Sequence, residues 1–241
     1  MLTLMTPASA QYRRQTLEVQ GGWNAVHLEA DPVESSCAAL IARHEGKIEA
    51  IWTYDNRYAA MRAFDPAEFR DDLETPPVRV ENRWRVYHPG HVELSNLHHL
   101  RGARAYLLRV RDGEAPFSVE VFGRPVPDDG FWVADGYSLR GLSIDSGLEG
   151  HARPTFAEYF AGSLAHIADS NGVFSMDLAG QMQGPLDLAS TRIESGRAYW
   201  IHTAGVSQYR GPVEIEQVPR EGLDFGLDLV EARLALRNRT A

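Results

Sequence analysis

One series of short motifs occurs twice in this chain, in the same order. The first series comprises residues 22–24 (GWN), 51–55 (IWTYD), 104–107 (RAYL) and 118–121 (SVEV). The second comprises residues 136–138 (GYS), 173–177 (VFSMD), 197–200 (RAYW) and 212–215 (PVEI). Four matches in the same order indicate two copies of one structural unit. The repeat explains most aromatic and glycine residues as scaffold, which leaves few residues for chemistry.

The predicted domain boundaries follow from this repeat. They are residues 1–16, a leader remnant or disordered N-terminus; 17–125, repeat unit one; 126–218, repeat unit two; and 219–241, extra strands. Ala8-Ser9-Ala10 has the small-x-small form of a signal-peptidase site. This tripeptide favours a truncated secretory leader, and the alternative is a frayed N-terminus.

The two copies differ in one interval. From Asp55 to Arg104 there are 49 positions. The matching interval, from Asp177 to Arg197, has 20. Unit one therefore carries an insertion, assigned to residues 56–83. Loops tolerate insertions easily, and an insertion in one copy is where a special role would be placed.

Hydrophobic periodicity predicts an α+β, β-dominated fold. Residues 48–54 alternate apolar and polar side chains, which is typical of a half-buried strand. One helix is predicted in each unit, at residues 35–44 and from Pro154 onward. The second helix has an apolar face of Phe156, Phe160, Leu164 and Ile167. We expect two tandem pseudo-symmetric units, each a small twisted sheet with one helix, or a single merged barrel or sandwich if the sheets share a core.

Composition limits the classes of partner. The chain has 241 residues, of which 44% are hydrophobic and 24% charged, as in soluble globular proteins. A formal net charge of −9 argues against general nucleic-acid binding, which needs a basic face. No run approaches the roughly 20 apolar residues of a membrane helix, so no integral membrane segment is expected. Cys37 is the only cysteine, which excludes an intrachain disulfide, and we expect it to be buried.

The repeated motifs also carry a family resemblance. Gly22-Trp23-Asn24 with Val26 and Leu28, then residues 51–55 and 102–107, resembles a tandem GWN/VWxYD/GxxYWV-type β-rich module of bacterial surface or exported proteins. The second copy keeps residues 196–201 closely but has Tyr137-Ser138 in place of Trp-Asn. The resemblance implies an extracellular scaffold and supplies no catalytic residues.

A second resemblance concerns the C-terminus. Residues 222–226 (GLDFG) followed by residues 234–238 (LALRN) are similar to the first strands of immunoglobulin-like domains of the ASPM/SPD-2/hydin class. The resemblance implies the start of such a domain at the end of the chain. The alternative is a plain C-terminal β-hairpin packed on unit two.

One polar cluster has ligand types suited to a metal ion. His88 and His91 lie three apart across a Pro-Gly turn, and Glu93 follows them. Imidazole and carboxylate groups can together hold a metal such as zinc. No helical HExxH face is present, and the alternative is a solvated loop. His88, His91 and Glu93 are therefore the candidate metal ligands.

Aromatic residues that do not recur in both copies are the candidates for ligand binding. Recurrent rings are expected to face the core, where aromatic packing is most favourable. Tyr58, Trp84 and Tyr87 lie in or beside the insertion and have no counterpart in unit two. These three side chains are the predicted platform for a sugar.

The leading hypothesis for function is a non-enzymatic, extracellular structural or adhesion module of a bacterial surface protein. Its partners would be a surface protein, a glycan or further copies of the chain, and no cofactor or catalytic residue is assigned. The first alternative is a carbohydrate-binding module of a larger secreted enzyme. The second is a hydrolase with acid–base carboxylates in the insertion, although no sequence pattern selects such a pair.

Overall fold

The computed structural model describes residues 12–55, 84–126, 132–144, 152–168, 172–206, 209, 211–215 and 235–239. The tripeptide Ala8-Ser9-Ala10, the insertion 56–83 with Tyr58, and residues 222–226 lie outside these ranges. Predictions that rest on those segments stay predictions. Among the described residues, no helix has the length and apolar character needed to cross a membrane.

The described part of the chain contains thirteen strands and three short α-helices. The strands are β1 Arg13–Val19, β2 Gly22–Leu28, β3 Ala30–Pro32, β4 Ile48–Tyr54, β5 Trp84–Tyr87, β6 Arg104–Val110, β7 Phe117–Pro125, β8 Gly136–Gly141, β9 Val173–Met176, β10 Met182–Gln183, β11 Ala198–Thr203, β12 Val213–Ile215 and β13 Leu236–Asn238. The helices are α1 Cys37–Arg43, α2 Phe156–Tyr159 and α3 Leu164–Ala168. The predicted α+β, β-dominated class is confirmed.

Two four-stranded antiparallel sheets have the same topology. Sheet one has the order β2-β6-β4-β5, and sheet two has the order β8-β11-β9-β10. Three strands of sheet one, β2, β6 and β4, carry motifs that recur in β8, β11 and β9 of sheet two, and these three strands have the same order in both sheets. Strands β5 and β10 share no motif but occupy the same edge position. The repeat seen in the sequence is therefore a repeat of strand order as well as of residues.

A buried tyrosine fixes the same loop in both copies. The hydroxyl oxygen of Tyr106 accepts a hydrogen bond from the backbone N–H of Arg101 at 2.7 Å. The hydroxyl oxygen of Tyr199 accepts one from the backbone N–H of Glu194 at 3.1 Å. In each case the partner lies five residues before the ring. The loop that runs from this N–H group to the tyrosine is called the tyrosine loop. It contains one residue with a left-handed backbone, Ala103 in unit one and Gly196 in unit two.

The helices also begin alike in the two units. Ser36 caps the N-terminus of α1, and Thr155 caps that of α2. Each cap residue forms an isolated antiparallel bridge, Ser36 to His99 and Thr155 to Arg192. Each bridge partner lies seven residues before the buried tyrosine, so the helix start and the tyrosine loop are held together by the same connection in both units.

The two sheets pack face to face and share one core, which makes the chain a single sandwich. Sheet one contributes Ala50, Trp52, Tyr54, Trp84, Val86, Ala105 and Leu107, and sheet two contributes Tyr137, Leu139, Met176, Ala198 and Trp200. The rings of Trp84 and Trp200 meet edge to face, with centroids 6.0 Å apart. Such contacts add to the free energy gained by burying the rings.

Each sheet has its own outer layer. Helix α1 and a three-stranded sheet, β1-β7-β3, cover the outer face of sheet one. Helices α2 and α3 cover the outer face of sheet two. The order of layers is therefore outer layer, sheet one, sheet two, outer layer. Cys37 is fully buried in the first outer layer, and burial raises the pKa of its thiol to about 12.

The second helix differs from its prediction. A 3-10 turn at Ala161–Ser163 divides the expected apolar stripe between α2 and α3. Gly162 lies in this turn, and a Cβ atom there would be 2.4 Å from the carbonyl oxygen of Arg239. The close approach of the C-terminal strand therefore requires glycine at the break. Phe156, Phe160 and Ile167 are nevertheless buried together, as their spacing predicts.

Both ends of the described chain are paired. Strand β1 begins at Arg13, within the residues 1–16 assigned to a leader remnant or a disordered end, and it pairs antiparallel with β7 along its whole length. At the other end, β13 pairs antiparallel with β12. This pairing connects the C-terminal segment to unit two, and the alternative of a plain C-terminal hairpin stays a prediction. An immunoglobulin-like continuation stays a prediction.

The insertion enters and leaves the fold at neighbouring positions. Tyr54 and Trp84 are paired residues of the β4–β5 hairpin. In unit two, Met176 and Met182 form the equivalent pair, and only residues 177–181 connect them. Oδ1 of Asp177 accepts hydrogen bonds from two backbone N–H groups of that turn. Asp55 stands at the same position in unit one.

Replacing residues 56–83 with Leu-Ala-Gly-Gln, the sequence of residues 178–181, should therefore preserve the fold. Asp55 would organise the turn as Asp177 does, and the free energy of unfolding should change by no more than about 2 kcal/mol, because loop closure depends weakly on length. Guanidinium denaturation measures this. A matched graft, Leu-Ala-Ala-Gln, should be less stable by about 1 kcal/mol, since Gly180 has a φ of 81°. Loss of cooperative unfolding in the first graft would contradict the hairpin equivalence.

The buried tyrosine of unit one predicts alkaline lability. Burial raises the pKa of Tyr106 from 10.0 to about 12. In the unfolded chain the phenol ionises near pH 10, so the free energy of unfolding should fall as the pH rises from about 10 to about 12. Tyr106→Phe removes this titration and should flatten that fall. At pH 7 the same variant should lose about 1 kcal/mol, from the lost hydrogen bond. An identical alkaline slope in both proteins would rule out Tyr106 as its source.

Candidate functional site

The structure places Trp84 and Tyr87 in the core. Trp84 is 2% exposed and packs between the sheets, where the rings of Tyr54 and Trp200 lie 5.0 and 6.0 Å from it. Tyr87 is 5% exposed on the opposite face of sheet one, with its ring edge to face with that of His98. Ligand binding by these rings stays a prediction, but neither ring presents a face to solvent. Tyr58 lies outside the described residues.

The candidate metal ligands lie together in an exposed turn. The rings of His88 and His91 are 5.2 Å apart, and Nδ1 of His91 is 3.8 Å from Oε1 of Glu93. Nδ1 of His88 accepts a hydrogen bond from the backbone N–H of Gly90. Within the described ranges, no three His, Cys, Asp or Glu side chains are grouped closely enough to hold a metal ion. Metal binding by His88, His91 and Glu93 stays a prediction.

A groove of about 440 Å³ lies where the edge of unit one meets two loops of unit two. We call it the seam groove. One wall comes from β1 and β2, and the other comes from the β9–β10 turn and the tyrosine loop of unit two. Its lining includes Thr16, Glu18, Gln20, Trp23, Asn24, Ala25, Asp177, Leu178, Glu194, Ser195 and Arg197.

Backbone hydrogen bonds at both ends hold the groove open to a fixed width. The N–H of Trp23 donates to the carbonyl of Leu178 at 2.8 Å, and the N–H of His27 donates to the carbonyl of Gly196 at 2.8 Å. Gly22 has a φ of 108°, and a Cβ atom there would be 2.3 Å from the Leu178 carbonyl oxygen. Only glycine permits this approach. The first glycine of the GWN motif is therefore required by the contact between the units.

Trp23 forms the apolar part of the groove. Its ring is half-buried above the shared core and lies edge-on to the β9–β10 turn. A Cβ atom at Gly180 would be 2.8 Å from Cδ1 of the indole, so this turn also needs glycine. The guanidinium of Arg109 lies 5.8 Å from the ring centroid. The indole is therefore held in one orientation from two sides.

Polar side chains also line the seam groove. Oδ1 of Asn24 accepts from the backbone N–H of Gln20, and Nδ2 of Asn24 donates to the carbonyl of Gln20, which fixes that corner. The guanidinium of Arg197 donates to the Glu194 carboxylate at 2.9 Å. Oε1 of Glu18 accepts from the Ser118 hydroxyl at 2.6 Å. The groove thus offers amide, hydroxyl and carboxylate groups at defined positions.

Buried polar side chains join the units behind this wall. The carboxylate of Glu29 pairs with the guanidinium of Arg13 at 2.8 Å and accepts from the hydroxyl of Ser195 at 3.3 Å. The side chain of Gln15 donates to the carbonyl of His27 and accepts from the N–H of Glu29. This connection links β1, β2 and the tyrosine loop of unit two, and it gives the groove a rigid base.

A second exposed aromatic feature lies on another face. The rings of Tyr12 and Phe122 stack at 5.2 Å on the outer face of the three-stranded sheet, beside a groove of about 240 Å³. Phe122 is 51% exposed. The described lining of this second groove is mainly apolar, and its charged members are Glu34, Arg43 and Glu120.

The seam groove was missed from the sequence because its lining comes from four separate segments. Trp23 occupies a recurrent aromatic position, for which the sequence predicts core packing, although unit two has Tyr137 there. That difference between the copies was the available signal. No protein-family model, no curated protein and no solved structure matches the chain. The fold and the groove define the protein as a β-dominated α+β sandwich of two repeated units.

The burial of Trp84 predicts a structural phenotype. Trp84→Ala removes a ring from the shared core and should lower the free energy of unfolding by about 3–5 kcal/mol. Urea denaturation followed by tryptophan fluorescence measures this. Phe122→Ala, at an exposed ring, should cost less than about 1 kcal/mol. A stable Trp84→Ala protein that had lost glycan binding would instead establish the ligand role predicted from the sequence.

Proposed function

We propose that this chain is a non-catalytic adhesion module of an exported or surface-attached bacterial protein, and that it binds carbohydrate in the seam groove. The exported bacterial setting rests on the resemblance of the GWN and VWxYD motifs. The binding mode rests on one observation, the combination of the Trp23 indole with amide, hydroxyl and carboxylate groups in a cleft of about 440 Å³.

A sugar ring suits such a cleft because it has both an apolar face and a rim of hydroxyl groups. The apolar face can pack on the indole of Trp23. The hydroxyl groups can bond to side chains such as Asn24 and Ser195. A few convergent polar groups beside an apolar surface are what small-ligand sites generally contain. A preformed groove also reduces the entropy lost on binding.

Adhesion without catalysis is favoured by how the groove carboxylates are used. Both oxygens of Asp177 accept hydrogen bonds from its own turn, from Ala179 and Gln181 N–H groups and from the side chain of Gln183. Glu194 is held by Arg197. These carboxylates organise the loops that form the wall, so the groove is built to hold a ligand in place.

A glycan array followed by calorimetry on its best ligand tests the proposal. Trp23→Ala should weaken binding at least about tenfold, the equivalent of about 1.4 kcal/mol. Trp23→Phe should keep part of the affinity, because a smaller ring still packs on the sugar. Circular dichroism and thermal unfolding establish that each variant is folded.

Phe122→Ala is the matched control, since it removes an exposed ring on another face. Its affinity should equal that of the unaltered protein. Failure of the unaltered protein to bind any glycan would refute the proposal. So would equal affinity of the folded Trp23→Ala protein.

A further inference from the structure

The seam groove has a charge pattern that discriminates among sugars. Four of the described residues that line it have charged side chains: Glu18, Asp177, Glu194 and Arg197. The single cation among them is already engaged, because the guanidinium of Arg197 lies 2.9 Å from the Glu194 carboxylate. A second guanidinium, that of Arg109, lies 5.8 Å from the centroid of the Trp23 ring, and it is paired with the Asp112 carboxylate at 2.7 Å. Among the described lining residues, Glu18 and Asp177 therefore remain as carboxylates that no unpaired guanidinium offsets.

These two carboxylates lie on opposite walls. Glu18 lies on the exposed side of β1, and its Oε1 atom accepts a hydrogen bond from the Ser118 hydroxyl. Asp177 is anchored at the start of the β9–β10 turn by three donors. Because the Asp177 side chain is already ordered by its own loop, binding a cation does not cost the entropy of ordering it.

We infer that the ligand of the seam groove is an amine-bearing sugar of the glucosamine type. This inference rests on the proposed function. An ammonium group attracts carboxylates on both walls, whereas the carboxylate of a uronic acid is repelled by them and meets an arginine that is already paired. A neutral N-acetylated sugar keeps the stacking on Trp23 and the hydroxyl contacts but gains nothing from the charges.

Three hexasaccharides of equal length test the inference by calorimetry at pH 6.0. They are the hexamers of glucosamine, N-acetylglucosamine and galacturonic acid, each measured in 20 mM and 500 mM NaCl. In low salt, the glucosamine hexamer should bind about tenfold more tightly than the N-acetylated hexamer, and the galacturonic acid hexamer should bind most weakly. In high salt, the preference should shrink to about twofold because exposed charges are screened.

Two variants locate the effect. Glu18→Gln should reduce the preference for glucosamine about threefold and leave affinity for the N-acetylated hexamer unchanged. Glu120→Gln is the matched control, because Glu120 is an exposed carboxylate on the same sheet outside the groove, paired with Arg14. It should leave both affinities unchanged. An equal effect of the two variants would show that net charge, and not the groove, sets the preference, which overturns the inference.

The outcomes separate this inference from the proposed function. Binding of the N-acetylated hexamer as tightly as the glucosamine hexamer, without salt dependence, overturns the inference and leaves carbohydrate binding intact. Tightest binding of the galacturonic acid hexamer does the same. Absence of binding to any hexamer, together with an empty glycan array, overturns both.

Discussion

The structure depends on the aromatic core that the two sheets share. Tyr54 and Trp84 from sheet one meet Trp200 from sheet two edge to face, with centroids between 4.8 and 6.0 Å apart. Each unit alone would expose this apolar face to water, at a cost that small domains cannot easily offset. The two copies are therefore one folding unit, and every feature at their junction, the seam groove included, takes its geometry from this packing.

The two copies share some structural features and differ in others. The copies keep the backbone devices that set strand order, such as the tyrosine loops of Tyr106 and Tyr199 and the helix caps of Ser36 and Thr155. They differ in the length of one connection between neighbouring strands. Unit two closes β9 and β10 with five residues, whereas unit one places residues 56–83 at the equivalent position. Surface connections can change in this way without disturbing the core.

The repeated motifs and the alternation of apolar and polar residues were sufficient to predict the fold class, because recurrence and alternation are local signals. The shared core of the two sheets was foreseen only as an alternative. The outer sheet was not predicted, since β1 and β3 pair only with distant β7. Trp84 and Tyr87 lacked counterparts and were therefore assigned to a ligand. Their burial follows from the hairpin, which returns the chain to sheet one directly after the insertion. The seam groove depends on contacts between residues more than 150 positions apart, such as Trp23 with Leu178, and no local pattern encodes them.

A binding site at the junction also explains why the copies are not interchangeable. The groove takes its indole and Glu18 from unit one, and its Asp177 turn and Arg197–Glu194 pair from unit two. Gly22 and Gly180 permit the close approach between them, at positions where any side chain would collide. A perfectly symmetric pair would repeat this junction, but the sequence between the paired residues Tyr54 and Trp84 does not match the short turn between Met176 and Met182. The two copies are therefore not equivalent at their junction, and the seam groove combines side chains from both of them.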